Sequence, residues 1–175
     1  MATSIAASVR RARLSDTAAL TDLVNQAFAV EASFVEGQRT DAGEIAALIR
    51  SFLVLEYERG ICAAVMYQRP GERDGLPSSH AYFGMLSVLP ELQGMGLGRR
   101  LVQVAEAMAE SAGASSMRIR IINIREELGR WYRSLGYREV GTVPCTHAVK
   151  RPCHFVDMEK ALVPVMYAGG EIGAA

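Results

Sequence analysis

Four stretches of the chain repeat apolar residues every three or four positions, which predicts four amphipathic helices. The first is capped by Ser15 or Asp16, and the second begins near Asp41, where a glutamate follows three positions later in capping-box spacing. The third ends at Gly113 and the fourth at Gly136, because glycine readily adopts the left-handed conformation that closes a helix. The predicted apolar faces are Leu20, Leu23, Val24, Ala27 and Phe28; Ile45, Leu48 and Ile49; Leu97, Leu101, Ala105, Met108 and Ala112; and Leu128, Trp131, Tyr132 and Leu135.

Short apolar or alternating segments lie between these helices, bounded by glycine, proline and polar residues, as is typical of strands. Arginines at alternate positions, Arg118 and Arg120, predict that the strand carrying them has one face open to solvent. The pattern predicts one mixed α/β domain at residues 9–162, with a disordered leader at 1–8 and a flexible tail at 163–175. The predicted strands are 52–57, 61–67, 82–89, 117–122, 137–143 and 155–162.

The composition excludes several classes of function. The 175 residues carry 19 basic and 19 acidic side chains. This balance gives no excess of positive charge of the kind that binds nucleic acid or an anionic membrane. No apolar run approaches the roughly 20 residues of a membrane span, and the N-terminus lacks the pattern of a secretory signal. Three cysteines without paired spacing argue for a reducing compartment, so we expect a cytoplasmic protein.

A glycine-rich segment between the third strand and the third helix carries the strongest functional signal. Glycine occupies alternate positions at Gly94, Gly96 and Gly98, which lets the backbone approach a ligand closely. The free N–H groups of the helix that follows attract an anion. Arg99 and Arg100 oppose the helix dipole in the first turn, and a bound phosphate would offset that repulsion. The segment predicts a phosphate-binding loop.

Two widespread phosphate loops do not fit this segment. A Walker loop requires a lysine followed by serine or threonine after its last glycine, and neither is present. A dinucleotide fingerprint requires Gly-x-Gly-x-x-Gly and an acidic residue after the next strand, whereas the next strand here is followed by Asn123. A third pattern, Gln/Arg-x-x-Gly-x-Gly/Ala, is filled by Gln93-Gly94-Met95-Gly96-Leu97-Gly98.

That third pattern resembles the pyrophosphate loop of the GNAT superfamily of acetyl-CoA-dependent N-acetyltransferases. Downstream, the segment Trp131-Tyr132-Arg133-Ser134-Leu135-Gly136-Tyr137 is similar to the family's Phe-Tyr-x-x-x-Gly-Phe signature. Residues 10–16 resemble the family's first strand and helix, and residues 155–160 resemble its last strand. The run Arg125-Glu126-Glu127-Leu128 is similar to one in some uncharacterised bacterial members.

The resemblance implies a fold and a co-substrate. The fold is a mixed, mostly antiparallel central sheet with one splayed strand pair and helices on both faces, and acetyl-CoA lies in the splay. By the same resemblance, the backbone of Leu86, Ser87 and Val88 binds the pantetheine amides, and Asn123 contacts the cofactor. The pyrophosphate is held by Gln93, Gly94, Met95, Gly96, Leu97, Gly98 and Arg99.

The reaction that the resemblance implies is direct attack of a primary amine, from a small molecule or a protein, on the thioester in a ternary complex. The backbone N–H of Val88 would polarise the carbonyl oxygen, and Tyr132 would protonate the leaving thiolate. A non-catalytic acyl-CoA sensor or scaffold is the alternative function. Homodimers are common in the superfamily, and the sequence leaves the oligomeric state open.

The acceptor site is less clearly marked. Glu31, Glu36, Glu56, His80 and Tyr82 are equal candidates for the base that deprotonates the amine. Residues 28–41 would form the acceptor wall, with Phe34 and Tyr57 as apolar lining. The acids within that wall, at positions 31, 36 and 41, favour a cationic acceptor. The cysteines and histidines at positions 145, 147, 153 and 154 fit no standard zinc spacing, so no metal is predicted.

Overall fold

The computed structural model describes residues 8–57, 60–145 and 149–163. The strands are β1 (Ser8–Arg11), β2 (Phe52–Tyr57), β3 (Gly60–Gln68), β4 (His80–Val88), β5 (Ser116–Ile122), β6 (Arg138–Pro144) and β7 (His154–Ala161). The helices are α1 (Thr17–Phe28), α2 (Ala42–Leu48), α3 (Leu97–Ser111) and α4 (Glu126–Ser134), and short 3-10 turns include Ala29–Ser33 and Pro90–Leu92. None of the helices in these described ranges is long and apolar enough to cross a membrane.

The predicted helix ends have local causes. The carboxylate of Asp41 accepts a hydrogen bond from the N–H of Glu44 at 2.9 Å, as the capping spacing predicts. Gly113 and Gly136 follow α3 and α4 with φ angles of 79° and 95°, in the left-handed region that glycine tolerates. Most of the predicted leader and tail lies outside the described residues. Ser8 is an exception, because it pairs with Glu56 as the first residue of β1.

The seven strands form one sheet in the order β1-β2-β3-β4-β5-β7-β6. Only β4 and β5 run parallel, and every other neighbouring pair is antiparallel. The β4–β5 pairing is limited to three residue pairs and ends at Tyr82↔Arg118. Beyond that point the two strands separate, so the predicted fold class with its splayed strand pair is confirmed.

Helices cover both faces of the sheet. On one face α1 and α2 bury Leu20 and Ile45 against β2 and β3. On the other face α3 and α4 bury Leu101 and Tyr132 against the central strands and β7. Each face buries a separate apolar cluster, which holds β4 in the middle of the molecule and places the splay between the two helix layers.

The face of β5 that carries the alternating arginines is only partly exposed, and its charges are paired. The register with β7 places Arg118 opposite Glu159 and Arg120 opposite Asp157. Each arginine forms an ion pair with the carboxylate opposite it, and all four side chains are at most one-third exposed. The alternating arginines of β5 therefore form charge pairs with the neighbouring strand while part of each side chain stays accessible.

Candidate active site

The glycine loop connects the end of β4 to the start of α3. Gly94 and Gly96 have φ angles of 80° and 83°, a conformation that a side chain would strain. Gly96 is the N-cap of α3, and no side chain caps that helix end. Because the first-turn N–H groups of α3 lack an intrahelical partner, they are available to an anion at this point.

Gly98, in the first turn of α3, packs against β4. A Cβ atom at Gly98 would lie 3.6 Å from Cγ2 of Val88 and 3.8 Å from Cδ2 of Leu86. It would also lie 3.8 Å from Cη2 of Trp131 on α4. The first turn of α3 thus meets both the strand and the fourth helix, and the three elements form one end of a common cleft.

A β-bulge redirects β4 just before the glycine loop. Met66 pairs with Gly84 and Ala64 with Ser87, so two residues of β4 stand opposite one residue of β3. Met85, inside the bulge, has a φ of 48°, a value that is rare for a residue other than glycine. The bulge and the strained residue accompany the point at which β4 leaves β5.

The backbone N–H groups after the bulge alternate in direction. The N–H of Leu89 donates to the carbonyl of Cys62 on β3 at 2.9 Å. Because a strand alternates its donors, the N–H groups of Leu86 and Val88 point to the opposite edge, where β5 has already separated. Two backbone donors therefore face the splay.

The splay opens into a cavity of ≈ 590 Å³. One end is formed by the glycine loop and the start of α3, the middle by β4, β5 and α4, and the other end by the segment that follows α1. Its lining includes nine of the predicted site residues: Leu86, Val88, Gln93, Gly94, Gly96, Leu97, Gly98, Arg99 and Tyr132.

Tyr132 forms part of the wall in the middle of this cavity. Its side chain is buried, and its ring lies within 6.0 Å of the ring centroids of Phe83, Trp131 and Tyr137. Burial raises the pKa of the Tyr132 phenol far above its ordinary value, so the hydroxyl is protonated at any working pH. Among the described residues no hydrogen bond contributes to the pKa shift of this hydroxyl, which lines the cavity and is available to a ligand there.

A part-buried carboxylate occupies the end of the cavity away from the glycine loop. Glu31, in the 3-10 turn after α1, accepts a hydrogen bond from Arg125 at 3.2 Å. Burial raises the pKa of Glu31, and the charge of Arg125 opposes that rise. Arg125 also donates to Glu127 at the start of α4, so one arginine links the acceptor end to that helix.

Tyr82 and two further arginines, Arg39 and Arg120, complete the lining of this end. Burial raises the pKa of the Tyr82 phenol, and the charges of Arg73, Arg120 and Arg39 oppose the rise. The guanidinium of Arg73 lies 3.7 Å from the ring centroid of Tyr82, and that of Arg39 lies 5.3 Å from the ring centroid of Phe28. Sequence reasoning missed Arg39 and Arg120 as cavity residues, because neither belongs to a local motif.

Three predicted cofactor residues lie outside the cavity lining. The Ser87 side chain is buried, and its hydroxyl donates to the carbonyl of Met85. Met95 is 53% exposed to solvent. Asn123 is tied to β7, where its side-chain oxygen accepts a hydrogen bond from the N–H of His154 at 2.8 Å. Contact of these three residues with a cofactor stays a prediction, and the geometry gives Asn123 a separate, structural partner.

The candidates for the base are now distinguished by position. Glu31 and Tyr82 line the cavity, whereas Glu36, Glu56 and His80 do not. Glu56 pairs with Arg10, and His80 with Glu159, so both have partners elsewhere.

The predicted apolar lining of the acceptor wall was wrong. Phe34 and Tyr57 do not line the cavity, and Phe28 and Phe155 line it instead. The acidic wall is reduced to Glu31, because positions 36 and 41 also face elsewhere. In the described ranges no group of three or more histidine, cysteine or acidic residues could hold a metal ion, and His147 lies outside those ranges.

Comparison with known proteins agrees with this geometry. A family model described as an acetyltransferase (GNAT) domain matches residues 49–139. An uncharacterised N-acetyltransferase of Chlorobaculum tepidum is 27% identical over 166 residues, which cover 88% of this chain and 96% of that protein.

Solved structures share the fold at lower identity. The structure of yncA from Salmonella typhimurium, described with its cofactor acetyl-CoA, has a TM-score of 0.72 and 22% identity, covering 96% of this chain and 99% of that one. A ribosomal-protein-alanine N-acetyltransferase from Brucella melitensis has a TM-score of 0.72 and 20% identity, covering 89% of this chain and 99% of that one. At these identities the likeness concerns the fold.

Proposed function

The chain belongs to the GNAT acetyltransferase domain family, and we propose that it transfers an acetyl group from acetyl-CoA to a primary amine by direct attack in a ternary complex. Membership and the named relatives make it an N-acetyltransferase. The observation that supports the finer proposal is the single cavity that joins the glycine loop, Tyr132 and Glu31.

The residues of the cavity fit acetyl-CoA. The uncapped first turn of α3 and the side chain of Arg99 offer N–H donors and positive charge for the pyrophosphate. The two N–H groups of β4 that face the splay match the pantetheine amides, as an added strand would. Bound in this way, acetyl-CoA would supply the thioester carbonyl to the middle of the cavity.

Two groups would act on the thioester. The N–H of Val88 points into the splay and can donate to the carbonyl oxygen, on which negative charge develops during attack. The hydroxyl of Tyr132 can donate its proton to the leaving sulfur. A phenol has a reference pKa of about 10 and a thiol about 8.5. At these reference values proton transfer from the phenol to the thiolate is uphill by about 2 kcal/mol. Burial raises the pKa of the phenol, and the same apolar surroundings raise the pKa of the leaving thiol, so the sulfur is a stronger base in the site than in water.

Glu31 is the group best placed to accept the proton of the amine. An alkyl ammonium has a reference pKa of about 10.4, so less than about one molecule in a thousand is neutral at pH 7. Glu31 lines the acceptor end, and burial raises its pKa, which makes it a stronger base than an exposed carboxylate. Its ion pair with Arg125 fixes its position.

The proposal is tested by measuring thiol release from acetyl-CoA with a panel of amines, amino acids, polyamines, aminoglycosides and peptides. We expect saturable turnover with at least one class and a product heavier by one acetyl group. Calorimetric binding of acetyl-CoA without turnover of any amine would contradict it and support an acyl-CoA sensor. The cytoplasm remains the expected compartment, on the grounds of the three unpaired cysteines. A homodimer remains open to measurement.

A further inference from the structure

The acceptor end of the cavity contains one arginine without a carboxylate partner. Arg120 binds Asp157, and Arg125 binds Glu31 and Glu127. Arg39 also lines the cavity, yet among the described residues it forms no ion pair. Arg39 is exposed at the rim of the cavity, and its guanidinium lies over the ring of Phe28, 5.3 Å from the ring centroid.

The unpaired charge lies near the proposed base. The positive charge of Arg39 lowers the pKa of both Glu31 and Tyr82, against the opposing effect of burial. Arg120 and Arg73 act on Tyr82 in the same direction. This end of the cavity therefore combines the part-buried carboxylate of Glu31, which attracts an ammonium, with the guanidinium of Arg39, which can donate two parallel hydrogen bonds to a carboxylate.

We propose that the acceptor is a small amine that also carries an acid group, as an α-amino acid does, with its amine at Glu31 and its carboxylate at Arg39. This inference rests on the proposed acetyl transfer and names the substrate class of the same site. It replaces the expectation of a purely cationic acceptor, because only Glu31 of the predicted acidic wall faces the cavity. A polyamine would bring a second ammonium toward Arg39, where like charges repel.

The test compares each amino acid with the amine that remains when its carboxylate is removed, for example leucine with 3-methylbutylamine. Both are also compared with leucinamide and a leucine-led dipeptide, which model the amino end of a protein. Thiol release gives kcat/KM for each substrate in wild type, Arg39→Gln and Arg39→Lys. Arg138→Gln is the control, because Arg138 is exposed on β6 and does not line the cavity.

We expect Arg39→Gln to lower kcat/KM for the amino acid roughly 10- to 100-fold, mainly through KM, since one charge-assisted interaction is lost. For 3-methylbutylamine, which has no carboxylate to lose, Arg39→Gln should lower kcat/KM by a factor at least fivefold smaller than for leucine. A fivefold difference corresponds to about 1 kcal/mol, roughly one lost contact. For Arg39→Lys, kcat/KM for the amino acid should lie between the values of wild type and Arg39→Gln. Lysine keeps the positive charge but lacks the planar guanidinium that donates two parallel hydrogen bonds. Arg138→Gln should behave as wild type. The comparisons between variants use one substrate in two proteins, so differences in amine basicity cancel in them.

Two results would overturn the inference. If Arg39→Gln lowers kcat/KM equally for leucine and 3-methylbutylamine, Arg39 does not bind the substrate carboxylate. The proposed acetyl transfer would not be affected by that result. Higher wild-type kcat/KM for the dipeptide or leucinamide than for leucine, with each value calculated on the concentration of neutral amine, would assign the site to protein amino groups instead. Absence of turnover across the whole panel would contradict the proposed function, and the inference would fall with it.

Discussion

Gly96 can be replaced by alanine to separate the two consequences of a loop glycine, backbone freedom and space for a ligand. Its φ is 83°, and a Cβ atom added there would meet nothing within 4 Å. The cost to folding is therefore the left-handed conformation itself, about 1–2 kcal/mol. For a domain of this size that corresponds to a fall in Tm of roughly 2–8 °C.

Gly75 provides a matched control in a loop that does not line the cavity. Its φ is 78°, and a Cβ atom there would also meet nothing within 4 Å. Gly75→Ala and Gly96→Ala should therefore lose similar stability in thermal denaturation. Only Gly96→Ala should also lose affinity for acetyl-CoA, because its new methyl group lies at the uncapped start of α3.

The expected loss of affinity for acetyl-CoA follows from the hydrogen bond that the Gly96→Ala substitution disturbs. Removing one backbone hydrogen bond to a charged phosphate costs about 1.5–3 kcal/mol, or roughly 10- to 150-fold in Kd. Calorimetry with acetyl-CoA measures it, and acetyl-pantetheine, which lacks the pyrophosphate, should show no such difference between the variants. If Gly96→Ala loses stability like Gly75→Ala but binds acetyl-CoA with wild-type Kd, the loop is not the pyrophosphate site.

Three further predictions concern residues whose roles differ. Glu31→Gln should lower kcat/KM at pH 7 by roughly 100-fold or more and remove the acidic limb of the pH profile, which lies above the ordinary value of 4.5 because burial raises this pKa. The raised pKa of Glu31 stabilises the fold below pH 4.5, and this stabilisation is lost as the pH rises through the pKa of Glu31 in the folded protein. At pH 7 Glu31→Gln should therefore not lower Tm. A large fall in Tm would indicate a structural role for Glu31. Asn123→Ala should cost about 1 kcal/mol of stability through the lost bond to His154, with the Kd for acetyl-CoA unchanged; the opposite result would make Asn123 a cofactor contact. Glu159→Gln should destabilise the fold by about 1–3 kcal/mol, because it leaves part-buried Arg118 without its carboxylate. An unchanged free energy of unfolding in denaturant would contradict the interpretation that the arginines of β5 are held by carboxylates of β7.

The parts of the site that the sequence predicts are local ones. The strand, the glycine loop and the helix start are consecutive, so the spacing of Gly94, Gly96 and Gly98 is enough to predict a phosphate loop. The capping of α2 by Asp41 is equally local, and it was predicted correctly. Short-range geometry follows from residue type and spacing, and these are visible in a single chain.

The acceptor end could not be predicted because it is assembled from distant segments. Glu31 and Arg125 are 94 positions apart, and no local pattern joins them. Arg39 lines the same cavity as the glycine loop, although it lies in the segment between α1 and α2, more than 50 positions earlier in the chain. The pairing of Arg118 and Arg120 depends on the register of β5 with β7, which a periodicity of two cannot specify. The bulge at Met85 likewise depends on pairing with β3.

The most direct test of the account is the single-turnover rate of Tyr132→Phe, measured beside the Kd for acetyl-CoA. Tyr137→Phe is the control, because Tyr137 is also a buried phenol but donates to Glu106 and does not line the cavity. The account predicts that Tyr132→Phe loses about 100-fold or more in rate while its Kd stays within about threefold, equivalent to less than 1 kcal/mol. Tyr137→Phe should lose stability and keep its rate. A Tyr132→Phe variant with the wild-type rate and pH profile would contradict the assignment of Tyr132 as the proton donor.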